Sequence, residues 1–369
     1  MSFYDIIEKY RNFDFDGFFA RTGHPEVEGL LGKDRLSEVD FLTLLSPAAA
    51  AFLEPMARRS RQLTVQHFGR TIQLFIPLYI SNYCSNQCVY CGFNCSHAIA
   101  RTKLTLPQIA AEARAISATG MQHLLLLTGE APEITPSSYI EEAVRLLKKY
   151  FASVAIEVFP MDEGDYARIK AAGADGLTLY QEVYDPDIYR EVHLAGRKTD
   201  YRYRLDAPER GARAGFRAVN IGALIGLGDL RREVFFSGLH ARYLDDRYLG
   251  TEVGLSLPRL NPAEGNFRSA QPADDRTFVQ FLLALRLFQP RAALTVSTRE
   301  RSNFRDRLIP LGVTRFSAGS CTGVGGYAEP GTRNVPQFEV SDERSVAEVA
   351  CAIAAQGYQP VYKDWDRIQ

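Results

Sequence analysis

Three of the chain's six cysteines fall in the stretch Cys84-Ser-Asn-Gln-Cys88-Val-Tyr90-Cys91-Gly92, with the spacing C-x3-C-x2-C. Thiolates select zinc or iron–sulfur centres. Four cysteines complete a zinc tetrahedron or an electron-transfer cluster. Three on one short loop leave one iron of a 4Fe-4S cluster without a protein ligand, open to a substrate or cofactor. A structural zinc site completed by Cys95 or His97 is the alternative. Zinc sites are usually built from paired C-x2-C knuckles, and no second knuckle is present. Disulfides are disfavoured, because the cysteines are few for the length and no secretory signal is read ahead of them.

The loop needs a rigid support. A strand-like run ending in Ile76-Pro-Leu-Tyr-Ile80 leads directly into it. From there the pattern alternates. Strands are predicted over 71–80, 122–128, 152–159, 176–180, 218–225, 253–258, 293–297 and 313–318. Helices are predicted between them, the first opening on the capping box Thr105-Leu-Pro-Gln108 and others spanning 139–151, 165–172, 201–214, 231–244, 276–288 and 302–309. Four consecutive leucines, Leu124 to Leu127, read as a strand buried on both faces. Strict strand–helix alternation implies parallel strands, and eight such units imply a closed (β/α)8 TIM-type barrel of the α/β class. The other arrangement is a doubly wound open sheet, but no Gly-x-Gly-x-x-Gly follows the first strand. The predicted organisation is an N-terminal helical extension over 1–70, the barrel over 71–319, and a C-terminal extension over 320–369 packed on it. That extension is glycine-rich at first (Gly323, Gly325, Gly326, Gly331) and then helical near 343–356.

Barrel enzymes carry their chemistry at the C-terminal strand ends. There the chain places Gly129-Glu130, Glu157, Tyr180-Gln-Glu182, Ser297-Thr-Arg299-Glu300 and Ser317, with Arg204 one helix after strand four. A glycine lets backbone approach a ligand. A carboxylate within an apolar strand needs a polar partner. An arginine can grip a carboxylate with two hydrogen bonds, although an internal pair with Glu300 or Asp306 is its alternative. The six histidines show no ligand spacing and read as packing or surface residues. The formal net charge of −1 gives no basic field for nucleic acid, and no apolar run reaches the roughly 20 residues of a membrane span. The N-terminal stretch does not read as a targeting peptide, so a soluble protein of the reducing cytoplasm is expected.

The cysteine spacing with Tyr90 before the third cysteine resembles the signature of the radical S-adenosylmethionine (SAM) superfamily. Further stretches resemble one branch, 2-iminoacetate synthase, the tyrosine lyase of thiamin thiazole biosynthesis. They are Pro77-Leu-Tyr-Ile-Ser-Asn, Leu124-Leu-Leu-Leu-Thr-Gly-Glu130, Tyr180-Gln-Glu182, Gly222-Ala-Leu-Ile-Gly-Leu227, Ser297-Thr-Arg-Glu300 and Lys363-Asp-Trp-Asp366. The resemblance implies that Cys84, Cys88 and Cys91 ligate a 4Fe-4S cluster whose fourth iron is chelated by SAM. It implies that Gly129 and Glu130 hold the SAM amine, that Glu157 and Glu182 face its ribose or methionine part, and that Arg204 approaches its carboxylate. The backbone near Tyr90 would lie by the adenine. Arg299 would grip the carboxylate of L-tyrosine, with Tyr79 and Ser317 near its amine. A thiazole synthase subunit and a flavodoxin- or ferredoxin-type electron donor are the implied partners. Three positions depart from the pattern: Thr128 stands where many members have glycine, and Val183 and Ala207 where threonine is expected. The rival readings are an iron-iron hydrogenase maturase, a tryptophan lyase, and a non-catalytic iron–sulfur or zinc protein. The tail's only cysteines, Cys321 and Cys351, form no second cluster motif, which counts against the maturase.

Overall fold

The computed structural model describes residues 2–265, 267–269, 271–329 and 335–363. Eight parallel strands close on themselves: β1 (Thr71–Ser81), β2 (His123–Thr128), β3 (Ser153–Glu157), β4 (Gly176–Thr178), β5 (Ala218–Gly222), β6 (Glu252–Ser256), β7 (Ala293–Val296) and β8 (Arg315–Ser317). β1 closes the ring, with Ile76 opposite Leu124 on β2 and Gln73 opposite Arg315 on β8. The barrel expected from the alternation is therefore the fold. The leucine run divides as a doubly buried strand should. Leu124 and Leu126 join the main core, while Leu125 and Leu127 pack inside the barrel against Tyr79 and Phe93.

The helix after β1, Leu106–Ser117, opens on the capping box Thr105–Gln108, as predicted. The expected single helix over 201–214 is instead two, Tyr201–Leu205 and Ala207–Arg213, and a further helix, Pro186–Val192, precedes them. The cause is local. Asp185 caps the earlier helix ahead of Pro186, and Pro208 has no N–H to continue the turn through Asp206. The β4-to-β5 connection thereby becomes a folded excursion over the barrel mouth.

Helices fill residues 3–68 and pack on the barrel's outer helices. Phe41 stacks on Phe288 at 4.2 Å, and the absence of a side chain at Gly238 makes room for its ring. Gln280 donates to the carbonyls of Leu44 and Ser46 at 2.9 and 2.8 Å, holding that chain turn in place. Among the described residues no single helix is long and apolar enough to cross a membrane. The bent pair Glu38–Leu44 and Pro47–Phe68 passes on length and composition alone.

The tail carries the expected helix and one strand that was not expected. Its helix is Val346–Ala355, begun by a Ser345–Glu348 capping box, and it is followed by a ninth strand, β9 (Gln359–Val361). β9 runs parallel to Thr71–Gln73 at the start of β1. Pro360 obscures this strand in the sequence, because proline removes a ladder donor and is tolerated only at an edge. Gly331 and most of the Lys363-Asp-Trp-Asp366 motif lie outside the described residues.

A buried ion pair joins tail to barrel. Arg305, on the helix Ser302–Leu308, bonds Asp342 with both side chains fully buried, and also donates to the Ser317 carbonyl at the end of β8. Asp342 also pairs with Arg344 at 2.8 Å, so removing Arg305 costs less than the about 3–5 kcal/mol of a fully stranded buried charge. Arg305→Met should accordingly lower the urea midpoint with an unchanged slope. A wild-type midpoint would show that the pair does not secure the tail.

Candidate active site at the barrel mouth

The cysteine loop leaves β1 and has no regular structure of its own, so polar groups fix it. Arg101 donates to the carbonyls of Asn82, Phe93 and Asn94 at 2.8, 2.8 and 2.6 Å. Gln87 N donates to Ala195 O at 2.9 Å and Val89 N to Val192 O at 3.1 Å, so the loop lies antiparallel to the excursion after β4. Asn86 donates to Glu130 Oε2 at 2.7 Å and accepts from the Lys198 N–H at 2.9 Å. On the other side Gly92 N donates to Gln337 O at 3.0 Å, and a side chain at 92 would meet Pro336 O at 2.5 Å.

Cys84, Cys88 and Cys91 are free thiols lining one cavity. Burial pushes all three up, Cys88 to about 12, so only a strongly attracting cation favours the thiolates. Iron in a cluster meets that need. No three Cys, His, Asp or Glu side chains among the described residues converge on a single-ion site. Cys95 is exposed and outside the cavity, and His97 Nδ1 lies 3.3 Å from Gly92 O. Three inward thiols spread around a cavity wall fit a multi-iron cluster better than one zinc ion.

The same cavity is bounded by Gly129, Glu130, Glu157, Glu182, Lys198 and Arg204. Gly129 is required by contact, since a Cβ there would stand 2.3 Å from Tyr83 O. Glu182 has φ of 71°, left-handed for a non-glycine residue, and this turns its carboxylate toward Lys198 Nζ at 2.8 Å and Arg204 Nη2 at 3.3 Å. Burial acts to raise its pKa, but those two cations outweigh burial and hold it below the ordinary carboxylate range. Arg204 also donates to Tyr180 O at 2.8 Å.

Tyr90 is held by His193. The Nδ1 of His193 lies 2.8 Å from Tyr189 O, which can only accept, so Nδ1 carries the proton. Nε2 then accepts from the Tyr90 hydroxyl at 2.8 Å. Burial pushes His193 down to about 2, aided by Lys198 and Arg204, so it is neutral.

A second cavity opens beside the first, sharing Tyr79, Cys91, Glu157, Glu182, Lys198 and Gln337 with it. Its far wall carries Arg299 and Ser317. The ion pairs that could have absorbed Arg299 are made elsewhere. Glu300 binds Arg259 at 2.9 Å and Asp306 binds Arg344 at 3.0 Å. Arg299 instead stacks 3.2 Å from the Phe338 ring centre, its charge unmatched by any carboxylate contact among the described residues. The Ser317 hydroxyl accepts from Thr298 N at 2.9 Å, and Tyr79 donates to Gln337 Oε1 at 2.7 Å. Glu157 faces both cavities, and burial, reinforced by Glu182, pushes it up to about 7.

All twelve residues singled out in the sequence thus line one or other of two joined cavities. Val183 and Ala207, the two positions where threonine was expected, line neither. Lys198, His193, Asn86, Gln337 and Phe338 are additions that strand-end reasoning missed. They sit in the β4–β5 excursion, the middle of the loop and the tail, where no periodicity or motif spacing marks them.

Residues 78–235 match the radical SAM superfamily, and residues 256–359 match the biotin and thiamin synthesis associated domain. The chain is 41% identical to 2-iminoacetate synthase of Escherichia coli K12, over 97% of this chain and 96% of that protein. It is 40% identical, with the same coverage, to the enzyme of the same name in Salmonella typhimurium. Among solved structures, the FeFe-hydrogenase maturase HydG from Carboxydothermus hydrogenoformans superposes with a TM-score of 0.85 and 32% identity, covering 98% of this chain and 83% of that one. With the cysteine loop, the barrel and full-length identity in agreement, the chain belongs to the radical SAM superfamily and, within it, to the 2-iminoacetate synthase family.

Proposed function

We infer that the protein is a radical SAM carbon–carbon lyase that cleaves the Cα–Cβ bond of L-tyrosine to 2-iminoacetate and p-cresol. SAM is consumed as 5′-deoxyadenosine and methionine. The observation that carries this reading is the pair of joined cavities. One holds the three thiols and a set of paired charges, and the other ends in an arginine with no carboxylate contact among the described residues. The 4Fe-4S cluster and SAM, when bound, supply a 5′-deoxyadenosyl radical able to take hydrogen from the tyrosine amino group.

The chain's own residues bind, orient and exclude water. Cys84, Cys88 and Cys91 would hold three irons. Glu130, fixed by Asn86, would accept from the SAM amine, with Gly129 giving the ligand access to the backbone. Lys198, Arg204 and Glu182 form a paired cluster that would face the methionine end of SAM. Tyr90, locked by His193, would border the adenine. Arg299, kept flat by Phe338, would take the tyrosine carboxylate in a two-point grip, while Tyr79 and Ser317 face the amine. A mouth walled by Leu125, Leu127 and Phe75 keeps water from the radical. The tail supports a single cluster: Cys321 is half-buried after β8 and Cys351 is exposed on a helix. Thiazole synthase as recipient of the product, a flavodoxin- or ferredoxin-type electron donor and a cytoplasmic location complete the proposal.

Anaerobic reconstitution with iron and sulfide, followed by SAM, dithionite and tyrosine, should give 5′-deoxyadenosine together with p-cresol and glyoxylate, the hydrolysis product of 2-iminoacetate. Cys88→Ala should give none of them, and SAM cleavage without p-cresol would falsify the tyrosine-lyase assignment. Arg299→Lys keeps the charge but loses the planar fork, so KM for tyrosine should rise roughly tenfold to a hundredfold. An unchanged KM removes the carboxylate role. Glu157 is neutral below about pH 7 and anionic above it. Its ionisation adds a negative charge to a cavity that must accept a carboxylate, so KM for tyrosine should rise as pH passes upward through about 7. The step should vanish in Glu157→Gln, and its survival there would assign it to another group.

A further inference from the structure

The tail crosses the barrel mouth as an irregular segment that bends at Gln337 and Phe338, and Gln337 lies where the two cavities meet. Its backbone is pinned on both sides: N donates to Thr322 O at 2.9 Å, and O accepts from Gly92 N at 3.0 Å. Phe338 follows directly and stacks on Arg299. The Gln337 side chain is therefore held over a fixed spot. Its Oε1 accepts from the Tyr79 hydroxyl at 2.7 Å, and its Nε2 donates to Cys91 Sγ at 3.8 Å. A thiolate has no proton to give, so the NH2 end must face sulfur and the carbonyl end must face the phenol. This fixes Tyr79 in turn. With its proton committed to Gln337, its free lone pair is the feature it can offer the substrate cavity.

We propose that Gln337 is a positioning residue that ties the substrate end of the site to the cluster ligand Cys91. The proposal rests on the lyase reading above. A hydrogen bond to a cluster sulfur stabilises the more negative, reduced state and raises the midpoint potential. At its other end Gln337 holds Tyr79 as an acceptor for the tyrosine ammonium. One amide thus sets both how readily the cluster is reduced and how well the amine is placed, through a residue outside the cysteine motif and the strand ends.

The test uses the reconstituted full-length enzyme. The midpoint potential is read by EPR-monitored redox titration, and KM for tyrosine is read from p-cresol formation. Gln337→Leu should lower the midpoint potential and raise KM roughly two- to tenfold. It should also increase the ratio of 5′-deoxyadenosine to p-cresol. Tyr79→Phe should raise KM and leave the potential at the wild-type value, since it does not touch Cys91. Should the leucine variant lose its circular dichroism spectrum, Gln337→Met, which also cannot donate, takes its place. A wild-type potential in the folded variant overturns the proposal, as does an equal shift in Tyr79→Phe. A wild-type enzyme that takes up no cluster or cleaves no SAM removes the lyase reading itself. Normal wild-type turnover with an unaltered Gln337→Leu removes only the role given to Gln337.

Discussion

One buried side-chain amide holds the mouth of this barrel together. Asn86 sits among the three cysteines, donates to Glu130 after β2 and accepts from the backbone of Lys198 in the excursion after β4. The cysteine loop has no helix or strand to give it rigidity, and a site holding reactive intermediates needs its ligands fixed to a fraction of an ångström. Asn86 supplies that order by tying the loop at once to the segment after β2 and to the excursion after β4. The same bonds orient the carboxylate of Glu130 and bring the chain around so that Lys198 reaches Glu182. Close packing leaves no slack: a side chain at Gly196 would meet the Asn86 side-chain oxygen at 2.3 Å.

Around this anchor the charges of the site are unevenly matched. Glu130, Glu157 and Glu182 line the joined cavities together with Lys198, Arg204 and Arg299. Lys198 and Arg204 share Glu182, which leaves Arg299 at the far end with no carboxylate contact among the described residues. A buried arginine with no carboxylate contact is costly, and here the Phe338 ring bears part of that cost. A ligand carrying its own carboxylate completes the balance. On the proposed reading, the charge pattern would select an amino acid before any contact with the aromatic ring of the substrate.

The sequence made the barrel legible because its strands are largely buried and most of its longer helices carry an apolar face, and both periods survive in the residues themselves. The cysteine loop was legible because ligand spacing is a local property. Strand-end residues such as Glu157, Glu182 and Arg299 could be found because the fold says where to look. What stayed hidden was whatever depends on distant pieces of chain meeting. Gln337 meets Cys91 across most of a barrel's length of sequence, and His193 meets Tyr90 through a helix that Asp185 and Pro186 set off. No local pattern records such encounters. The split of the expected 201–214 helix at Pro208 and the β9 strand around Pro360 went unread for a simpler reason. Proline's effect depends on whether its missing N–H lies at a helix start or a sheet edge.

The tail's position over Gly92 has a consequence for how the enzyme is made. The cysteines come early in the chain, whereas Pro336, Gln337 and Phe338, which close the wall beside them, come near its end. A ribosome releases the ligand loop long before it releases the cover. During synthesis the thiols face an open groove, and the wall is completed only when the last strand settles against β1. A cluster assembled on this loop would therefore have easier access before translation is finished than after it.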